Sequence, residues 1–315
     1  MKSGSYRSSK ADPTAKAQPL VESIDIRTAD GWSLRADVHA PDSREGSGRG
    51  VAVLAHAIMA RRSEFDRPRG AGAARFLAAH GWQVVVFDFR GHGDSRAAPP
   101  AGARTGYDLL VEQDLPAACA FARSRAGRRP VVVVGHSLGG HVALAAQGSK
   151  RIDVNAIALL GTCIWVRRLE PSLSRWWLKR ATVETIDAIS RRAGRFPARA
   201  LRLGSDDETR AFIDDIARFV RTGSWTSADG KIDYWASLAG VRIPVLQVVS
   251  EGDRFECPPE SGIRFVACVG GRRDIVRVAR ADDGGPPPNH MGLVTSGRIP
   301  SIWERIEQWM REVTG

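Results

Sequence analysis

Apolar positions along this chain fall into short, nearly unbroken runs separated by stretches with a single apolar stripe. Val51–Ala55, Trp82–Phe89, Val131–Val134 and Val154–Leu160 show almost no polar alternation. Runs of that length and texture predict strands covered on both faces. Between them, Glu64–His80, Asp114–Arg125 and Ser137–Gln147 read as helices. Gly81 would end the first at C′, and Asp114 would cap the start of the second. Strands alternating with helices imply βαβ units and a mainly parallel sheet, so the fold class is α/β. Upstream, Val21–Arg27 and Trp32–His39 flank Asp30-Gly31, a pair suited to a hairpin turn.

The alternation stops after Gly161. Residues 164–235 contain helical stretches, no convincing buried strand, and five of the nine tryptophans: Trp165, Trp176, Trp177, Trp225 and Trp235. Strand texture returns at Ile243–Val249 and Asp274–Val278, and Ile302–Val313 closes the chain as an amphipathic helix. The expected division is therefore a polar leader at 1–20, an α/β core at 21–163 and 236–315, and a helical insertion at 164–235 seated on a completed sheet.

Composition narrows the function classes. With 43% hydrophobic and 26% charged residues, the 315-residue chain has enough apolar material for a sizeable core. The net charge of +11 comes from arginines spread through every segment, with no run of five or more, which reads as a solvated surface rather than a nucleic-acid-binding tail. The cysteines Cys119, Cys163, Cys257 and Cys268 form no Cys-x-x-Cys pair, and the histidines show no His-x-x-x-His pattern, so neither a disulfide framework nor a metal site is expected. No cofactor is implied. The first twenty residues lack a signal-type apolar run, and no 18-residue apolar stretch occurs, so the expected setting is cytoplasmic with no membrane span.

Gly135-His136-Ser137-Leu138-Gly139-Gly140, directly after Val131–Val134, carries the chemistry. A serine hydroxyl needs a base to take its proton and donors to hold the developing oxyanion. A sharp strand-to-helix turn serves both, lifting the side chain and aiming the first helical N–H groups at the reacting carbonyl. Ser137 is thus the expected nucleophile. Asp253, in Gly252-Asp253 past the strand at Val245–Val249, is the expected acid, with Glu251 in reserve. His290, the only histidine after Asp253, is the expected base. His136 and His141 lie on the turn and its helix and read as packing or supporting groups. The oxyanion donors expected are the N–H of Leu138 and that of Ile58 or Ala57, with Ile58 preferred. Asp88-Phe89-Arg90-Gly91-His92-Gly93-Asp94-Ser95 reads as a loop tied by ionic hydrogen bonds. Arg61 and Arg62, beside the oxyanion loop, read as solvated surface; the rival reading is recognition of an anionic substrate.

With these residues the chain resembles the α/β-hydrolase superfamily, in its esterase, lipase-like and serine-aminopeptidase-type branch, over residues 22–315. The resemblance implies an eight-stranded, mostly parallel sheet flanked by helices, a helical cap at 164–235, and acyl transfer through Ser137, Asp253 and His290 on a small-molecule acyl substrate. The tryptophans of the insertion suggest an apolar acyl or aryl pocket. An acyltransferase or a non-catalytic binding protein on the same fold remains open. The chain departs from the family pattern at His56-Ala57, where members often carry His-Gly, and in the Gly284-Gly285-Pro286-Pro287-Pro288 insert, from which a longer or mobile base loop is expected.

Overall fold

Residues 21–42, 48–96 and 102–315 are described by a computed structural model, so the expected leader at 1–20 lies outside the described residues. The expected hairpin is formed by β1 (Val21–Arg27) and β2 (Ser33–His39), paired antiparallel. β3 (Gly50–Ala55), α1 (Ala73–Ala79) and β4 (Trp82–Phe87) follow. A helical passage then runs through α2 (Tyr107–Leu109), a π-helical turn at Leu110–Asp114 and α3 (Leu115–Ala126). Next come β5 (Val131–His136), α4 (Leu138–Gly148), β6 (Ala156–Leu160) and α5 (Leu173–Ala193). β7 (Arg195–Phe196) and β8 (Glu208–Thr209) make a small antiparallel ribbon before α6 (Arg210–Thr222) and α7 (Tyr234–Leu238). The chain finishes with β9 (Val245–Ser250), α8 (Pro259–Val266), β10 (Arg273–Val278), α9 (Gly292–Thr295) and α10 (Pro300–Thr314).

Eight strands form one sheet in the order β1-β2-β4-β3-β5-β6-β9-β10; β1–β2 and β2–β4 are antiparallel and the rest parallel. The unbroken apolar runs are explained by cores on both faces. Val51, Val53, Val131 and Val133 pack under α3 and α4 with Ala118, Ala122 and Val142. Their neighbours Ala52, Leu54, Val132 and Val134 face the other way, toward Leu77 of α1 and Ile302, Ile306 and Trp309 of α10. This is the two-residue side-chain period of a strand with no solvent side.

The strand order reverses at β3: β4 adds on one side of it and β5 on the other. The connections leaving β3 and β5 therefore diverge, opening a crevice at the carboxyl ends where open α/β sheets hold their ligands.

Three local expectations need correction. The helix expected over Glu64–His80 is broken into a 3-10 turn, Arg62–Asp66, and the short α1. Pro68 disfavours helix in the residue before it, and Gly72 packs so closely that a Cβ there would lie 2.3 Å from the Phe65 carbonyl oxygen. Asp114 caps no helix, because the helical path already begins at Tyr107; its buried carboxylate instead accepts from the backbone N–H and Nε of Arg90, both at 2.8 Å. Residues 164–235 do contain a strand pair, the β7–β8 ribbon, too short to leave a hydrophobic signature.

Candidate active site

Ser137 sits between the carboxyl end of β5 and the first turn of α4 with φ 50° and ψ −109°. Positive φ in a non-glycine residue costs roughly 1–3 kcal/mol and persists only where the surroundings enforce it. The surroundings here are the glycines. A Cβ on Gly139 would stand 2.1 Å from the Ala55 carbonyl oxygen, and one on Gly140 2.1 Å from Thr162 Oγ1. Backbone bonds from Ser137 N–H to Leu160 O (2.9 Å) and from Gly139 N–H to His56 O (3.1 Å) pin the turn to β6 and to the loop after β3.

Asp253 and His290, 37 residues apart in sequence, meet directly: His290 Nδ1 lies 2.5 Å from Asp253 Oδ2, and both side chains are buried. Asp253 follows the turn that ends β9, where its Oδ1 accepts the Cys257 N–H at 2.9 Å. Since a carboxylate only accepts, Nδ1 carries the proton and Nε2 is the nitrogen left for other work. Burial opposes charging of His290, but the hydrogen bond and charge of Asp253 outweigh it and hold its pKa above the ordinary 6.5. Burial likewise penalises the charged Asp253, and its bond to His290 overcomes this, keeping the carboxyl below the usual 3.8. The reserve acid, Glu251, is turned to the surface and pairs with Arg277 Nη2 at 2.8 Å.

Ser137 and His290 border the same cavity, together with Ala57, Ile58, Leu138 and Gly161. Among the described residues the Ser137 hydroxyl makes no hydrogen bond, to His290 or elsewhere. The N–H groups of Leu138 and Ile58 likewise have no acceptor among the described residues, whereas the Ala57 N–H is taken by Glu64 Oε1 at 3.0 Å. Of the two candidates beside Leu138, only Ile58 is thus left with a free donor.

Side chains that sequence patterns did not single out brace this arrangement. Glu64 Oε1 also lies 3.2 Å from His136 Nδ1, and His136 Nε2 reaches the His290 carbonyl oxygen at 3.3 Å, so His136 links the loop after β3 to the segment carrying His290. Met59, with φ 56°, donates its N–H to Glu208 Oε1 at 2.6 Å and accepts from Ser205 N–H at 2.8 Å. Glu208 also binds His92 Nε2 at 3.0 Å, raising that buried imidazole to about 9 against the burial that would lower it. Glu64 is expected only as the start of a helix and Glu208 within the insertion, and nothing in their spacing marks these partners.

The Asp88–Ser95 loop is a tied scaffold, as expected. Asp88 accepts from the N–H groups of Arg62 (2.7 Å) and Asp94 (3.0 Å), and Arg90 is held by Asp30 and Asp114. Both readings of Arg61 and Arg62 require correction. Arg61 pairs with buried Asp206 at 2.7 Å, Arg62 binds Asp37, Asp88 and Asp94, and neither borders the cavity. The Pro286–Pro288 insert is fastened where Ser250 Oγ donates to the Pro288 carbonyl at 2.5 Å.

The cavity above Ser137 has a volume of about 330 Å³. Its walls come largely from α5 and α6, including Val183, Ile186, Phe212, Ile213, Ile216 and Val220. Only one of the five insertion tryptophans, Trp165, faces it; Trp176 and Trp225 are buried in the packing behind, and Trp177 is exposed. No group of side chains able to hold a metal ion is found among the described residues, and no helix among them is long and apolar enough to cross a membrane.

Known proteins share this architecture. Residues 68–278 match the family model described as serine aminopeptidase, S33. Lysophosphatidylserine lipase ABHD12 of Gallus gallus is 41% identical over 69 residues, which is 22% of this chain and 16% of that protein; the Xenopus tropicalis protein of the same name is 39% identical over a match of the same length. Among solved structures, Est1E from Butyrivibrio proteoclasticus with ferulic acid bound aligns with a TM-score of 0.60 at 14% identity, covering 92% of this chain and 98% of its own. Dienelactone hydrolase from Anabaena variabilis aligns with a TM-score of 0.56 at 15% identity, covering 94% and 99%. The family model spans two thirds of the sequence and takes in the serine turn, the strand before Asp253 and Asp253 itself: this chain belongs to the S33 serine aminopeptidase-type family of α/β hydrolases.

Proposed function

We propose that the protein is a serine hydrolase that cleaves carboxylic esters of small apolar acyl or aryl groups through an acyl-enzyme. The carrying observation is the buried 2.5 Å contact between His290 and Asp253, with His290 bordering the same cavity as a serine held at positive φ. In this reading His290 Nε2 takes the Ser137 proton as Oγ attacks the ester carbonyl, then returns it to the departing alcohol. Water activated by the same nitrogen releases the acid. Asp253 keeps the imidazole in the Nδ1-protonated form and stabilises its cation. Leu138 and Ile58 N–H groups receive the oxyanion, and residues 164–235 act as a cap over the acyl group.

An apolar acyl or aryl group is supported by the apolar lining of the cavity, and the fold is shared with Est1E from Butyrivibrio proteoclasticus, whose structure holds ferulic acid. The lipid named in the vertebrate relatives is not carried over, since those matches cover 69 residues. A fluorophosphonate probe tests the reading. Intact-protein mass spectrometry should show one adduct, mapped to Ser137, and none in Ser137→Ala. A folded wild type that stays unlabelled, or is labelled on another residue, would remove the serine from the mechanism.

A further inference from the structure

One helical turn beyond Ser137, α4 carries a second histidine whose place the proposed chemistry does not use. His141 is 7% exposed, and it borders the cavity together with Ser137. Its Nδ1 lies 3.0 Å from the Tyr107 hydroxyl, and that hydroxyl accepts the Trp225 indole N–H at 3.1 Å. Tyr107 and Trp225 are fully buried. The direction of this relay is set by chemistry. An indole N–H can only donate, so the Tyr107 oxygen is the acceptor there, and among the described residues its own proton has one acceptor in reach, His141 Nδ1. The neutral imidazole must then carry its proton on Nε2. Nε2 has no partner among the described residues, yet it is not one of their sealed-off unpartnered atoms, and the cavity is the space that the residue borders.

Burial pushes the His141 pKa down to about 3, so the ring is an uncharged donor at neutral pH. Nor does any lysine or arginine among the described residues border the cavity, while Glu256 does. A buried carboxylate on a substrate would meet no countercharge there, and desolvating it would be costly. An uncharged oxygen faces a much smaller penalty and gains a hydrogen bond.

We propose that His141 Nε2–H is a specificity-determining donor, selecting esters whose acyl chain carries a neutral oxygen acceptor (an ether, ketone or hydroxyl) a few atoms from the scissile carbonyl. Tyr107 and Trp225 are positioning residues that fix its tautomer. The rise of an α-helix over four residues, about 6 Å, sets the distance scale between nucleophile and donor. This role rests on Ser137 being the nucleophile of an ester hydrolase.

The test compares p-nitrophenyl hexanoate with p-nitrophenyl 4-methoxybutanoate, in which an oxygen replaces one methylene of a chain of equal length. The quantity read is the ratio of kcat/KM for the oxygenated ester over the all-carbon one, which cancels effects common to both. In His141→Phe this ratio should fall about tenfold from its wild-type value, the order of one net hydrogen bond. His141→Gln, whose amide still donates, should keep most of it. Tyr107→Phe should lower it by releasing the tautomer, and long-range 1H–15N NMR of the wild type should show His141 protonated on Nε2. That spectrum needs no variant to fold. An unchanged ratio across all three variants, or an Nδ1-protonated His141 in the wild type, overturns the proposal while leaving the hydrolase reading intact. A wild type that turns over neither ester and takes no fluorophosphonate label sinks both.

Discussion

The strained backbone of Ser137 and the imidazole of the buried His290–Asp253 pair border one cavity, and the pH behaviour of the pair follows from its surroundings. His290 must be neutral to accept a proton, and Asp253 holds its pKa above 6.5. Ester hydrolysis should therefore rise with pH through a value above 6.5 and then level off, as read from kcat/KM profiles. Asp253→Asn should cost about 10⁴-fold in kcat, the scale seen when such a histidine loses its orienting carboxylate. It should also move the limb of the residual activity to lower pH, because burial, which lowers the imidazole, is then no longer opposed by the charge of Asp253. A limb that stays in place in that variant would contradict the assignment. Ser137→Ala should lose ester turnover to a comparable extent while the circular dichroism melt stays within a few degrees of wild type, since the serine side chain makes no hydrogen bond among the described residues.

Between elements, the contact of greatest consequence joins the β7–β8 region to the loop after β3. Glu208 at the start of β8 receives the Met59 N–H and the His92 ring, while Asp206 receives Arg61. This fixes the backbone around Ile58 from the side of the insertion. Burial disfavours the His92 cation, but Glu208 more than compensates and raises its pKa to about 9. A group with a raised folded-state pKa contributes its stabilisation fully below its unfolded value and loses it as pH climbs through the folded one. The melting temperature should accordingly decline between pH 6.5 and about 9, and His92→Gln should flatten that decline. Equal slopes in the two proteins would show that the His92–Glu208 pair contributes nothing to it.

For the molecule as a whole, the sheet and residues 164–235 contribute different parts of the cavity. The sheet's reversal at β3 gathers Ser137, Ile58, Asp253 and His290 at one rim, and α5 and α6 supply the apolar wall above them. Acyl length should then be governed by the insertion. Ile216 borders the cavity, and Ile216→Trp should fill part of its volume and reduce kcat/KM for octanoate esters about tenfold relative to acetate. A p-nitrophenyl ester chain-length series reads this directly; an unaltered profile would mean that acyl groups lie elsewhere.

Much of this protein was determined by local sequence. Apolar runs such as Val131–Val134 have nowhere to go but the middle of a sheet, and the glycines around Ser137 are demanded by contacts near 2 Å from any added Cβ. The glycine-flanked serine turn could therefore be read from neighbours along the chain, whereas Asp253 and His290 are expected from the chain order that the family resemblance implies. Pairings across long separations could not. Glu64 with His136, Glu208 with Met59, Asp114 with Arg90, and the relay from Trp225 through Tyr107 to His141 join segments whose periodicity is silent about them. Buried polar groups are satisfied by whichever partner the packed chain brings within about 3 Å. Only the tertiary structure decides that choice, and with it which N–H beside Ser137 is left without an acceptor and which ring nitrogen of His290 is left unpaired by Asp253.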